Sequence, residues 1–278
     1  VSGAPEYQYK PGATATTKTA AAKAAALAAD ECRIYTDVDG VYTTDPRMCD
    51  KARLLDLIHF EEMLEMASLG SRVLQPRAVE FAGKYRVPLR VLSSRAPDNK
   101  SGTLVICNRS KEMEEPIITG IAFSEDEAKI TVVRVPDKPG VAGRLLADLG
   151  AANINVDMIV QNIAHDGRTD FSFTVGRREF AAALECAKKS GDAIGAQSVS
   201  GDNAIGKVSV VGVGMRSHAG VAAKMFSALA GGGVNIQMIS TSEIKISVVI
   251  EESRINDAVN ILHEVFELSG APAESGGK

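Results

Sequence analysis

Two kinds of stretch in this sequence carry side chains whose types and spacing can do chemistry. The first is Thr36-Asp37-Val38-Asp39-Gly40-Val41-Tyr42-Thr43-Thr44-Asp45-Pro46-Arg47. Its polar residues follow a β-rich run, at the place where open α/β sheets bind ligands beyond the C-terminal ends of their strands. Tyr42 can stack on a base, Asp37 and Asp45 can accept hydrogen bonds from base or ribose, and Arg47 can meet a phosphate. The same residues also fit an ordinary Asp-Gly turn. No Gly-rich phosphate loop and no G-x-G-x-x-G run occurs. The second is Pro136-Asp137-Lys138-Pro139-Gly140-Val141-Ala142, between a strand and a helix, followed by Asn153-Ile154-Asn155-Val156-Asp157. Amides at a helix N-terminus can hold a carboxylate. Oxygens of Asn155 or Asp157 can hold an ammonium, and Gln161 can read a side chain. Together they suit the two ends of a free amino acid. The plainer alternative is a helix start flanked by turn-forming asparagines.

Other chemistry is disfavoured. The four histidines are scattered, and the four cysteines form no CxxC pair, so neither a metal site nor a Ser/His or Cys/His nucleophile is expected. The cysteines read as reduced thiols of a cytoplasmic protein. A net charge of −4 disfavours nucleic acid or an anionic membrane as partner. No apolar run approaches the roughly 18 residues that span a bilayer, and no signal peptide is expected. Apolar residues make up 45% and charged residues 24%, a normal globular mixture.

The elements that must position these residues follow from periodicity. An Ala/Thr/Lys-rich run predicts a helix over residues 18–28, with Leu27 as its only large apolar residue. Residues 32–36, 87–92 and 103–107 read as strands; residues 60–69 and 76–84 read as helices, the latter opened by Pro76. This order indicates an α/β unit ending in a charged linker over 110–116. The remainder is an internal repeat. Pro139 to Leu149 matches Ala219 to Leu229 at an offset of 80, as does Asn155 to Ile159 against Asn235 to Ile239. Each copy reads strand, Gly-containing turn, helix, strand, hairpin, strand, helix, with second helices over 179–189 and 255–266. A final strand over 196–200 closes the first copy. The second lacks one, and the spare strand 117–123 is expected to be lent to it. The charges at 126–129, 177–179 and 251–252 are read as solvated, and Met63, Met66 and Met225 as core. The expected division is 1–110, 111–200, 201–270 and a tail over 271–278.

At these residues the sequence resembles the aspartate kinases. The run from Ile34 to Arg47 looks like that family's signature. So does Phe60-Glu61-Glu62-Met63-Leu64-Glu65-Met66-Ala67-Ser68-Leu69-Gly70 leading into Val73-Leu74-Gln75-Pro76-Arg77. The repeats resemble its ACT regulatory domains, including Asp157-Met158-Ile159-Val160-Gln161-Asn162 and Ser240-Thr241-Ser242-Glu243-Ile244. The resemblance implies a partial amino-acid-kinase α/β domain followed by two α+β, ferredoxin-like βαββαβ modules. It implies ATP-dependent, magnesium-assisted phosphorylation of L-aspartate to 4-phospho-L-aspartate, in lysine, threonine and methionine biosynthesis. ATP contacts are implied at Thr36, Asp37, Tyr42, Thr43, Thr44, Asp45, Pro46, Arg47 and Arg72. Contacts to inhibitory threonine, lysine or both are implied at Asp137, Lys138, Pro139, Gly140, Val141, Ala142, Asn155, Val156, Asp157 and Gln161. In the second module Val221, Ala222, Asn235, Ile236, Ser242 and Glu243 correspond. Homo- or hetero-oligomers through paired ACT domains are implied as well. Two family features are replaced or lacking. No Lys-Phe-Gly-Gly segment occurs, and Gly12-Ala13-Thr14-Ala15-Thr16-Thr17 stands where the family carries Gly-Arg-Gly-Gly-Ser-Asp for aspartate. The chain alone is therefore expected to be incomplete for catalysis, and the alternative is a non-catalytic regulatory subunit or fragment that binds threonine or lysine.

Overall fold

A computed structural model describes residues 14–71, 73–95, 102–107, 116–163 and 167–270. The first unit runs α1 (Thr14–Ala26), β1 (Cys32–Thr36), β2 (Leu57–His59), α2 (Phe60–Met66), α3 (Pro76–Tyr85), β3 (Leu89–Ser93) and β4 (Thr103–Ile106). Its sheet has the order β1-β3-β4-β2, with β1 parallel to β3 and β2 parallel to β4. Strand β2 has three residues, too few to show a period, and the sequence reading missed it. Helix α1 starts earlier than expected and leaves Leu27 74% exposed. It grips the unit through Ala21 and Ala24 instead, because small side chains let two helices approach closely. The linker expected over 110–116 lies, apart from Pro116, outside the described residues.

Helix α2 ends in a wide turn, Ala67–Ser71, in which Gly70 has φ 117°. A Cβ there would collide with the Phe123 carbonyl oxygen. Gly70 thus lets the first unit close against the strand that follows.

That strand is β5 (Gly120–Pro136), the first of a second sheet. It is followed by α4 (Val141–Ala151), β6 (Val156–Ile163), β7 (Arg168–Val175), α5 (Phe180–Ile194), β8 (Ser198–Val211), α6 (Val221–Gly231), β9 (Met238–Thr241), β10 (Lys245–Glu251) and α7 (Ile255–Val265). The order β6-β7-β5-β8-β10-β9 is antiparallel throughout. Both central strands are long enough to serve two modules. The upstream end of β5 pairs Gly120 with Val211 and Ser124 with Lys207; after bulges, its downstream part pairs Lys129 with Asp202 and Val133 with Ser198. The spare strand is thus lent to the second copy, as expected. The strand expected at 196–200 and the one opening the second copy are one strand, β8. The charged residues 125–127 fall at the bulge, where extra twist absorbs them.

The repeat is visible in the packing. Leu145 and Leu149 on α4 are buried in one core, and Met225 and Leu229 on α6 in the other. Alternation divides β10: Ile246, Val248 and Ile250 face the helices, while Val249 joins Met158, Ile205 and Met238 on the opposite face. Gly140 and Gly220 cap α4 and α6 with φ 93° and 91°. Nothing lies within 4 Å of a Cβ at either, so the left-handed backbone, not crowding, calls for glycine.

Candidate functional sites

Three cavities collect most of the candidate residues. The first, about 620 Å³, lies beyond the C-terminal end of β1. Thr36, Asp37, Tyr42, Thr44, Asp45, Pro46 and Arg47 line it. Strand β1 delivers Thr36, whose carbonyl accepts the Ser94 N–H at 2.7 Å. The loop then folds back: Leu55 N–H donates to the Val41 carbonyl and Thr43 N–H to the Arg53 carbonyl, both 2.8 Å. The Thr103 hydroxyl fastens it to β4, accepting from Val41 N–H at 2.8 Å and donating to the Leu55 carbonyl at 2.6 Å. Thr43 is fully buried and does not line the cavity. Thr44 is 3% exposed, and its hydroxyl has no partner in the structure. Such a group costs free energy until something bonds it. Arg47 grips Asp45 through Nη2 at 2.7 Å and Nε at 3.0 Å. The guanidinium's hydrogen bonds hold the Asp45 carboxyl below the usual range. Burial, then Asp39, pushes the Tyr42 phenol up. Met66, Gly70, Ser71, Arg95 and Ile121 to Phe123 complete the wall. Sequence patterning could not supply these, since β5 reaches the loop only through tertiary folding. Arg72 lies outside the described residues.

The second cavity, about 460 Å³, brings together Asp137, Lys138, Pro139, Gly140, Val141, Ala142 and Gln161 over a floor that includes Leu145 and Phe171. Ala142 and Gly143 lie in the first turn of α4, where a helix has no acceptor of its own for N–H groups. Asn155, Val156 and Asp157 do not line it. Asp157 instead contacts the ammonium of Lys207, which lies 2.6 Å from Glu127. Burial alone would lower the Lys207 pKa, but Glu127 and Asp157 outweigh it and hold the lysine charged. Burial pushes Glu127 up. At 6% exposure, Glu127 corrects the expectation of solvated charges at 126–129. Arg177 and Glu252 are likewise paired, at 2.7 Å, and Arg177 also donates to the Ile205 carbonyl. Neither end of that pair is simply solvated, because the two modules meet there.

The third cavity, about 640 Å³, gathers Val221, Ala222, Ser242 and Glu243 with Arg216, His218 and Thr241. Asn235 is exposed and Ile236 half-buried, both off this cavity. Arg216 bridges Glu243 at 3.2 Å and Glu61 on α2 at 2.6 Å. It lies on a short helical turn, Val213–Ser217, which the first module lacks. The signal was present: the repeat offset shifts from 78 before the turn (Lys129 to Lys207) to 80 after it (Pro139 to Ala219).

Helix α2 carries two more links to the second module. Glu62, 1% exposed, accepts from Thr119 Oγ1 at 2.5 Å, Val213 N–H at 2.9 Å and His59 N–H at 3.1 Å. Lys245 donates to Glu65 at 2.8 Å. Among the described residues no group of three or more His, Cys, Asp or Glu is placed to hold a metal, and no helix is long and apolar enough to cross a membrane.

The amino acid kinase family matches residues 3–93, and ACT domains match residues 129–192 and 208–266. An aspartokinase of Pseudomonas aeruginosa is 63% identical over 259 residues, 93% of this chain and 62% of that protein. The chain thus spans less than two thirds of the length of such relatives. A crystal structure of aspartokinase alpha and beta subunits contains a chain 55% identical to this one; the match covers 54% of this chain and 99% of that one, with a TM-score of 0.52. Aspartokinase III of E. coli, solved with aspartate and ADP, is 26% identical over 91% of this chain and 56% of its own, with a TM-score of 0.77. Solved with lysine and aspartate, it is 27% identical over 89% of this chain and 54% of its own, with a TM-score of 0.72.

Proposed function

This chain belongs to the aspartate kinase family, and from that membership we propose that the protein transfers the γ-phosphoryl group of ATP to the side-chain carboxylate of L-aspartate, forming 4-phospho-L-aspartate. The observation that carries this reading is the cavity beyond β1, lined by Thr36, Asp37, Tyr42, Thr44, Asp45, Pro46 and Arg47, with the unpartnered Thr44 hydroxyl in its wall. ATP occupies it: Tyr42 flanks the base, Asp37 accepts from base or ribose, and Arg47 and Arg72 supply positive charge towards the phosphates. Magnesium arrives with the nucleotide. Its preference for phosphate oxygens plus one or two carboxylates suits a wall carrying Asp37, Asp39 and Asp45. Phosphoryl transfer is mostly positioning and charge neutralisation, and these residues supply the nucleotide's share of both.

The two module cavities take regulatory amino acids, threonine, lysine or both. The E. coli relative's lysine complex supports the class of ligand. An effector inhibits only by binding one arrangement of the modules better than another. The protein works in the cytoplasm, in the pathway leading from aspartate to lysine, threonine and methionine, as an oligomer assembled through its ACT modules. The test is aspartate-dependent ATP turnover by the intact parent protein; turnover indifferent to aspartate rejects the reading. In that enzyme Gln161→Ala is expected to raise the inhibitor concentration for half-inhibition about fivefold, the worth of one lost hydrogen bond to the ligand, with uninhibited turnover unchanged.

One observation favours a second reading, a regulatory subunit without catalysis. Gly12 to Thr17 lacks the charged side chains that the family uses for aspartate. It predicts that threonine or lysine raises the melting temperature while ATP does not. A ligand at 100 times its Kd adds about 2.7 kcal/mol, so a flat response to both amino acids counts against it.

A further inference from the structure

The second module also reaches the nucleotide loop at a buried point that no cavity marks. The Thr43 carbonyl accepts the N–H of Ile121, on β5, at 2.6 Å. The Thr43 hydroxyl accepts the Arg53 N–H at 3.0 Å and lies 2.9 Å from Nε2 of His263, on α7. The hydroxyl has one proton and two lone pairs, so beside the Arg53 bond it can either accept from Nε2–H or donate to an unprotonated Nε2. His263 is 1% exposed; burial, then the cations of Lys51 and Arg53, favours the neutral ring. One turn earlier on α7, Asn260 donates to the Met48 carbonyl at 3.0 Å. Cys49 is buried in the second module's core. Residues 43–48 are therefore fastened to α7 at both ends, and Thr44, Asp45, Pro46 and Arg47, all in the cavity wall, lie between the fastenings.

We infer that His263, assisted by Asn260, is a positioning residue for the nucleotide loop, so that a helix of the second regulatory module sets how well the first unit holds ATP. The inference rests on the reading of the β1 cavity as an ATP site. It differs from inhibition at the module cavities because it needs no effector. Helix α7 packs beside α6, whose first residues, Val221 and Ala222, line the second module's cavity, so both sites share one packed pair of helices.

The experiment is calorimetric titration of this chain with magnesium and ATP, alongside thermal unfolding, for the wild type and three variants. His263→Leu removes the hydrogen bond to Thr43 but keeps an apolar side chain; it is expected to weaken ATP about three- to tenfold, the worth of one buried hydrogen bond. His263→Gln restores a group that can donate or accept and is expected to stay within about twofold of wild type. Leu and Gln variants weakened equally, or a Leu variant that binds as wild type does, overturn the inference. If His263→Leu does not fold, Asn260→Ala on the exposed side of the helix decides: affinity about two- to threefold lower supports the inference, and unchanged affinity overturns it. Failure of the wild type to bind ATP instead rejects the cavity assignment itself, and the inference with it.

Discussion

Lys207 occupies the middle of the six-stranded sheet, 5% exposed, with Glu127 on one side and Asp157 on the other. Breaking a buried pair by removing one partner typically costs about 3–5 kcal/mol, because the other charge is stranded. Lys207→Met is therefore expected to destabilise by that amount in urea unfolding, and adding Glu127→Gln to recover part of it; a loss within the scatter of surface substitutions would show that the pair contributes nothing. His263 gives a pH signature. Burial first, then Lys51 and Arg53, holds it below the ordinary value of about 6.5. The unfolded chain then takes up a proton before the folded one, so this contribution is complete above about pH 6.5 and is lost as pH falls towards the depressed folded pKa. The unfolding free energy of His263→Gln is expected to change less with pH across that interval. Neither residue was legible in the sequence as more than a charge or a scattered histidine. Lys207 is 80 positions from Glu127 and His263 is 220 from Thr43, and no local pattern encodes such pairs. The polar loop residues were legible, because turn chemistry is local.

Local pattern also recovered the repeated helix starts, and they allow a controlled comparison. Gly140 and Gly143 both face open space, but Gly140 has φ 93° while Gly143 lies within α4. Gly140→Ala is expected to destabilise by about 1–2 kcal/mol through left-handed strain, and Gly143→Ala to stabilise by up to about 1 kcal/mol. Equal shifts of melting temperature in the two variants would mean that backbone conformation does not control this turn. The element boundaries were readable where apolar residues repeat with a clean period. They failed at β2, which is too short, and at β5 and β8, where bulges interrupt the alternation and disguise one long strand as two. They also failed to show that α1 packs through alanine, since a stripe of small residues carries no amphipathic signal.

In the whole molecule, the order of modules along the chain is not their order of assembly. The residues that complete the second module, Gly120 to Ser124, come before the first module begins. A chain starting at Asp126 is expected to lose amide-exchange protection at those of residues 207–211 whose N–H groups face β5, while those facing β10 and the strands of the first module keep theirs; full protection throughout 207–211 would show the lent strand to be dispensable. The same strand lies against the loop beyond β1 through Ile121 and Thr43, so the first unit and the second module share a wall. During synthesis this topology imposes a wait. Gly120 leaves the ribosome 91 residues ahead of its partner Val211, a delay of about 5–20 s at ordinary elongation rates. Throughout it a half-strand carrying Ile121 and Phe123 stands with its edge open to any other nascent chain.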